Sequence, residues 1–395
     1  MPHSRIQEAL RRRGPYYVAL LADLVRLDSQ FGHEDLVQMR VLSEMRHLGL
    51  DVRIIHSRDD EQSMNLASRI TGEDSNRYRS LVLNAHADIV PVDAPDRWTH
   101  PPFAANITDG RLYGRGSQDD KAGIATISLT LAAIQDLGLK LGGDLIVQSV
   151  IEEETTGNGT RAVLASGYGG DGVIICDGTW PERVIYAHLG QASFRVVVAG
   201  QAMAASNIGR TSPPFDRAAS FVSALKQRLG AWHCGNGPFE GIDPPFYVNV
   251  GAVHGGIWCG AVPAALTMDI QIGFSPPFTV EQMEMEVVAL AGTIPDVIAE
   301  PWILKREPFR ADRANRMVTE VADAVRRGRG KEINVQAVGG YTDMSCFSTP
   351  DICLHGPGGG GGAHGTDEHY LLSHMSDVAQ DLILVATSWC WQVKE

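Results

Sequence analysis

Imidazole and carboxylate groups hold divalent ions and move protons near neutral pH, and in this sequence they gather where apolar runs end. His86 and Asp88 stand two apart in NAHADIVP, a spacing that puts both on one face of an extended segment. A lone histidine there reads as a core residue, but a neighbouring aspartate supplies the carboxylate that orients a ligating imidazole. Asp119 and Asp120 follow a glycine turn in LYGRGSQDDKAG, ahead of a helix expected to start near Lys121; capping that helix is their plain alternative. Glu152, Glu153 and Glu154 come straight after the apolar GDLIVQSVI, with no basic residue in the next six positions. Adjacent carboxylates repel, and burying one is costly without a positive group opposite; a solvated charge run is the plain alternative. Asp177 ends IICDGT, where a turn aspartate would also serve, and His364 follows a glycine-rich loop in GAHGTDEH. Two histidines and several carboxylates at the ends of different elements match what two hard or borderline divalent cations need, one carboxylate bridging ions about 3.5–4 Å apart.

The elements that must position these groups follow from periodicity. Residues 16–27 and 34–48 carry apolar positions at helical spacing, and DVRIIHS and SLVLNAHADIV then read as strands. AGIATISLTLAAIQDLG is expected as a helix, GDLIVQSVI as a strand, TRAVLASG as a helix and DGVIICDG as a strand. Such alternation predicts an α/β fold with a mostly parallel central sheet covered on both faces, three layers in all. Ligands of such sheets sit beyond the carboxyl ends of the strands. Near residue 190 the character changes. A strand at 193–199, a helix around 216–230, strands around 246–253 and 265–274 and a helix around 280–292 predict a small α+β unit. Alternation resumes after about residue 302. The expected organisation is a catalytic domain built from 1–189 and 302–395, with an α+β domain at 190–301 inserted into it.

A chain of 395 residues exceeds the size at which one core keeps growing, which fits two domains. Its 44% hydrophobic content, with glycines spread along the length, is that of a soluble protein with a sizeable core. The formal net charge of -13 offers no footprint for phosphates, and the RRR at 11–13 reads as a solvated helix face, so nucleic acid is not an expected partner. The N-terminal stretch lacks the apolar core and cleavage site of a secretory signal, and no run reaches membrane-spanning length. Neither a membrane partner nor a location outside the cytoplasm is expected. The six cysteines form no C-x-x-C pair, which argues against a disulfide framework or a thiolate metal site.

The chain resembles the M20 family of metallopeptidases and amidohydrolases, the group of acetylornithine deacetylase, succinyl-diaminopimelate desuccinylase, aminoacylase and carboxypeptidase G2. The markers are HADIVP, the run from Trp98 to Gly123 ending DGRLYGRGSQDDKAG, EEETTGNG, CDG, GGIWCGAVP at 255–263, and YTDM through GPG to AHGTDEH at 341–369. Each is weak alone; together they are specific and span nearly the whole chain.

That resemblance implies His86 and Asp177 as ligands of one zinc, Glu154 and His364 as ligands of the other, and Asp119 as the bridge. Two Zn2+ per chain are implied, with Co2+ or Mn2+ as alternatives. Asp88 would steer the site, and Glu153 would be the general base that takes a proton from the metal-bridging water; Glu152 would only support. The inserted segment would be a lid and dimerisation surface with a four-stranded antiparallel sheet and two helices, making the protein a homodimer. The implied reaction is hydrolysis of an amide, with an N-acyl amino acid as substrate and a short peptide as the alternative. Gly358, in the loop GPGGGGG, and Asn207 and Arg210 are candidate substrate contacts, a solvated loop being the alternative for the latter two.

Two departures from the family pattern matter. In AGQAMAASNIGR, Ala204 stands where the family has a histidine that reaches the partner's active site and stabilises the oxyanion. Either the chain has diverged in what it binds or Ala204 is an introduced inactivating change. Gln271 stands where many members carry an arginine that grips the substrate carboxylate. A binding protein that kept the metals and lost catalysis fits Ala204 but not the intact Glu153.

Overall fold

The strand Leu81–His86 is buried at every position, and so is Leu145–Val150 beside it. Continuous apolar runs of this kind form the centre of a sheet covered on both faces. In the computed structural model, which describes residues 3–234 and 237–394, these two strands and Gly172–Ile175 and Ile352–Leu354 lie side by side and parallel. Antiparallel strands extend the sheet: Met64–Ile70 and then Val52–His56 on one side, Arg183–His188 on the other. The centre is therefore parallel and the flanks are not. Helices His3–Val25, Lys121–Asp136 and Ser373–Trp389 pack on one another in this unit.

Two compact units divide the chain, one of Met1–Tyr186, Ala311–Gln336 and Thr342–Glu395, the other of Ala187–Arg310 and Ala337–Tyr341. The second unit has a four-stranded antiparallel sheet in the order Phe246–Gly255, Ala265–Phe274, Gly190–Ala199, Val297–Arg306. Alternate residues of its strands, among them Phe194, Val196, Ile270 and Ile272, bury against Phe221, Leu225, Met283 and Val287 of helices Pro214–His233 and Val280–Ala291. The second helix opens with a capping box, Thr279 and Gln282 each accepting from the other's backbone N–H.

Several elements differ from the sequence reading, three of them for a clear physical reason. The first helix starts at His3 rather than residue 16 and runs through Pro15. Ile6, Ala9 and Leu10 continue the buried face of Tyr17, Leu20 and Leu21, so packing outweighs the lost proline N–H. Met64–Ile70 forms a strand although its sequence does not alternate, because its first five residues are buried. The break expected at 301/302 falls inside the strand Val297–Arg306. Pro301 hides that strand in the sequence; it is tolerated at the sheet edge, where the pairing register shifts between Pro301 and Lys305. Among the described residues no helix is long and apolar enough to cross a membrane.

Candidate active site

Every carboxylate and imidazole singled out in the first unit lies at one edge of its parallel strands. His86 is the last residue of Leu81–His86, Asp88 lies two beyond, the glutamates follow Leu145–Val150, and Asp177 follows Gly172–Ile175. Parallel pairing puts these ends together. Asp119 and His364 arrive from loops.

Asp119 occupies the centre. Its Oδ1 lies 3.0 Å from His86 Nε2 and its Oδ2 3.2 Å from His364 Nε2. Asp177 Oδ1 is 3.8 Å from His86 Nε2, and Glu154 Oε1 is 3.0 Å from His364 Nε2. His86, Asp120 and Asp177 can offer ligand atoms to one ion, and so can His86, Asp119 and Glu154. Asp120, for which sequence reasoning had capping alone, caps helix Lys121–Asp136 by accepting from the Gly123 N–H, and its Oδ2 accepts from the His86 N–H. Capping thus belongs to Asp120, which leaves Asp119 turned toward both imidazoles. The signal was in the sequence, since only one of two adjacent aspartates can cap. Gly123 must be glycine, because an added Cβ would lie 2.0 Å from the Cys176 carbonyl oxygen.

Asp88 organises the glutamates. Its Oδ1 accepts from the Glu153 N–H at 3.2 Å and its Oδ2 from the Glu154 N–H at 3.0 Å, while its Oδ1 lies 3.4 Å from His86 Nδ1. Glu153 is buried, with Oε2 4.0 Å from His86 Nε2. Glu152, also buried, accepts from Arg58 Nη1 at 2.6 Å and from the Ser57 and Thr156 hydroxyls. The cation opposite the first glutamate is therefore a guanidinium, from a residue 94 positions earlier, which local reading of the triplet could not supply.

Electrostatics follow from this crowding: Asp88, Asp119, Asp120, Asp177, Glu153 and Glu154 gather around His86 and His364. Burial, then the Asp119 charge, push Asp177 up to about 7, and burial with the Asp177 charge raises Asp120. Burial opposes but does not prevent the lowering of Asp119 by its hydrogen bonds to His364 and His86. The Glu154 charge lifts His364 to about 12. His86 rises too, its bonds to Asp119 and Asp88 outweighing burial. Two buried carboxylates, Asp120 and Asp177, and both imidazoles that hold protons more tightly than usual fit a site arranged for divalent cations.

Gly358 is buried, and an added Cβ would lie 2.6 Å from the Thr179 nitrogen; its loop packs on the turn that carries Asp177. In the second unit, Ala204 is exposed in a short ladder of Met203–Ala204 with Ala261–Val262. Asn207, half-buried, and Arg210, exposed, belong to the 3-10 helix Ala205–Arg210 that follows. Gln271 donates to Gln191 and, at 3.1 Å, lies within reach of the Tyr247 hydroxyl.

The comparison with known proteins accords with this geometry. A probable succinyl-diaminopimelate desuccinylase of Staphylococcus aureus is 25% identical over 388 residues, covering 90% of this chain and 94% of the relative. The dipeptidase Dug1p of Saccharomyces cerevisiae superposes with a TM-score of 0.82 at 16% identity, covering 99% of this chain and 100% of that one. The Bacillus subtilis YXEP protein, a dinuclear metal binding peptidase of the M20 family, superposes with a TM-score of 0.63 at 14% identity, over 96% and 98% of the two chains. The pattern of peptidase family M20/M25/M40 matches residues 82–386, a span that holds every carboxylate and histidine of the cluster. The chain belongs to peptidase family M20/M25/M40, a family of metal-dependent peptidases and amidohydrolases.

Proposed function

We propose that this protein hydrolyses the amide bond of an N-acyl amino acid with two divalent ions, Zn2+ in the first instance, and Glu153 as general base. The observation that carries this reading is Asp119, whose two oxygens face different imidazoles at 3.0 and 3.2 Å. His86 and Asp177 would hold one ion, Glu154 and His364 the other, with Asp119 shared. When bound, the ions lower the pKa of a water and polarise the scissile carbonyl.

The protein's own groups do the rest. Asp88 fixes the backbone of Glu153 and Glu154 through their N–H groups, so base and ligand hold a constant offset. Glu153, buried and next in sequence to a metal-facing carboxylate, takes the proton from water and returns it to the leaving amine. The desuccinylase relative, matched over nearly the full chain, favours cleavage of an acyl group from an amine. The likeness to a dipeptidase fold keeps a short peptide as second reading. A homodimer formed through the second unit is part of the proposal, as is reduced turnover from the alanine at 204.

A panel of N-acyl amino acids and dipeptides, assayed for released amine with metal content measured in parallel, tests this. Release from acyl amino acids is the expected result. A fully metallated protein that cleaves only dipeptides would move the assignment to the second reading, and one that cleaves nothing would sink it.

A further inference from the structure

Four residues after His364 lies a carboxylate that touches neither imidazole. Glu368 is fully buried and accepts four hydrogen bonds. Its Oε1 takes the N–H groups of Gln118 and Asp119 at 3.0 and 3.2 Å; its Oε2 takes the Gly116 N–H at 3.0 Å and Arg115 Nη1 at 2.6 Å. Arg115, 1% exposed, lies with its guanidinium 5.4 Å from the centre of the Trp98 ring, and its Nη2 donates to the Gly365 carbonyl at 3.2 Å. One ion pair thus holds the turn that ends in Asp119 and the loop that carries His364, segments some 250 residues apart.

Resting on the di-metal reading above, we propose that the Arg115–Glu368 pair is a positioning element that sets Asp119 against His364, and through them the affinity of the ions. Glu368 grips the Asp119 N–H itself, while Arg115 grips the residue after His364. Neither side chain is a ligand. Both act through the groups they hold, and such outer partners typically change metal affinity by about 10–100-fold. A glutamine at 368 would offer one oxygen to two donors and turn its amide N–H groups toward the other two. The turn would have to reorganise even though size is conserved. A lysine at 115 keeps the charge but cannot reach Glu368 and Gly365 together with the planar fork of an arginine.

The test is titration of metal-stripped protein with Co2+, followed by its visible absorption, with thermal melting of the metal-free protein alongside. Wild type is expected to take up two equivalents. Glu368→Gln should bind both ions about tenfold or more weakly, and Arg115→Lys should weaken one equivalent more than the other. Folded variants with wild-type Co2+ affinities and only lower melting temperatures would overturn the positioning role and leave an ordinary buried ion pair. If Glu368→Gln fails to fold, Arg115→Lys alone decides by the same criterion. Wild type binding fewer than two equivalents would instead bring down the di-metal reading, and this inference with it.

Discussion

At Asp119 a single side chain faces two imidazoles, so its loss should be felt by both ions. Asp119→Ala is expected to bind less than one divalent ion per chain where wild type binds about two, as elemental analysis would show; full occupancy at either site would refute the shared role. Glu153 is next in sequence to the proposed ligand Glu154 and belongs to neither candidate ligand group, so Glu153→Gln should keep its ions while its turnover falls about a hundredfold or more. Glu154→Gln should show the opposite emphasis, losing an ion first. Exchange of these two phenotypes would put the roles one residue out of register. Ala204 has no donor for an oxyanion, and one such donor is worth about 10²–10³ in rate. Ala204→His should therefore raise turnover by a comparable factor; no gain on a substrate already cleaved quickly would mark the alanine as natural divergence. Residue types and strand-end spacing were enough to draw attention to His86, Asp88, the glutamates at 152–154 and Asp177, while the division of roles among the three glutamates came from the family resemblance. They could not show Arg58 beside Glu152 or Arg115 on Glu368, since those partners are 94 and 253 residues away and only the folded sheet brings them close.

Among the elements, the helix Lys121–Asp136 has little room at its start. Its third residue, Gly123, lies against the Cys176 carbonyl and the Asp120 carboxylate, one position from Asp177. Gly123→Ala should cost about 1–3 kcal/mol as an overpacked core position and also lower metal content, because the yielding atoms adjoin Asp177. A variant with wild-type melting temperature and metal content would show that the contact relaxes freely. Helices and central strands were legible because their apolar runs are long and their ends are marked by glycine or acid. Met64–Ile70 was not, since burial on both faces erases alternation, and Val297–Arg306 was masked by Pro301. The second unit was legible as an α+β segment from strand alternation, whereas its limits depended on strands whose sequence signal is weakest.

Across the whole molecule, buried acids tie stability to pH. Glu34 is fully buried, and desolvation pushes it up to about 7 from an ordinary 4.5, despite the Gly32 N–H at 2.8 Å and Arg58 at 3.5 Å. The folded state therefore holds this proton more tightly than the unfolded chain. Its contribution is complete below pH 4.5 and is lost as pH rises through about 7, a change of about 3 kcal/mol. Urea unfolding of metal-stripped protein at pH 5 and pH 8 should show this fall on top of that from Asp120 and Asp177, which burial also raises, and Glu34→Gln should remove about 3 kcal/mol of it; an equal fall in the two proteins would remove Glu34 as a cause. The strand order carries a further consequence. Gly172–Ile175 has Leu81–His86 on one side, but its other neighbour, Ile352–Leu354, is made only after the entire second unit. While the ribosome is still producing residues 187–310, the nascent first segment carries an open apolar sheet edge and lacks the helix Ser373–Trp389 that packs on Lys121–Asp136. Such an edge invites pairing with other chains. The interval between the two halves of the first unit is therefore the period in which this edge stands open, and any metal site that uses His364 can be completed only after it.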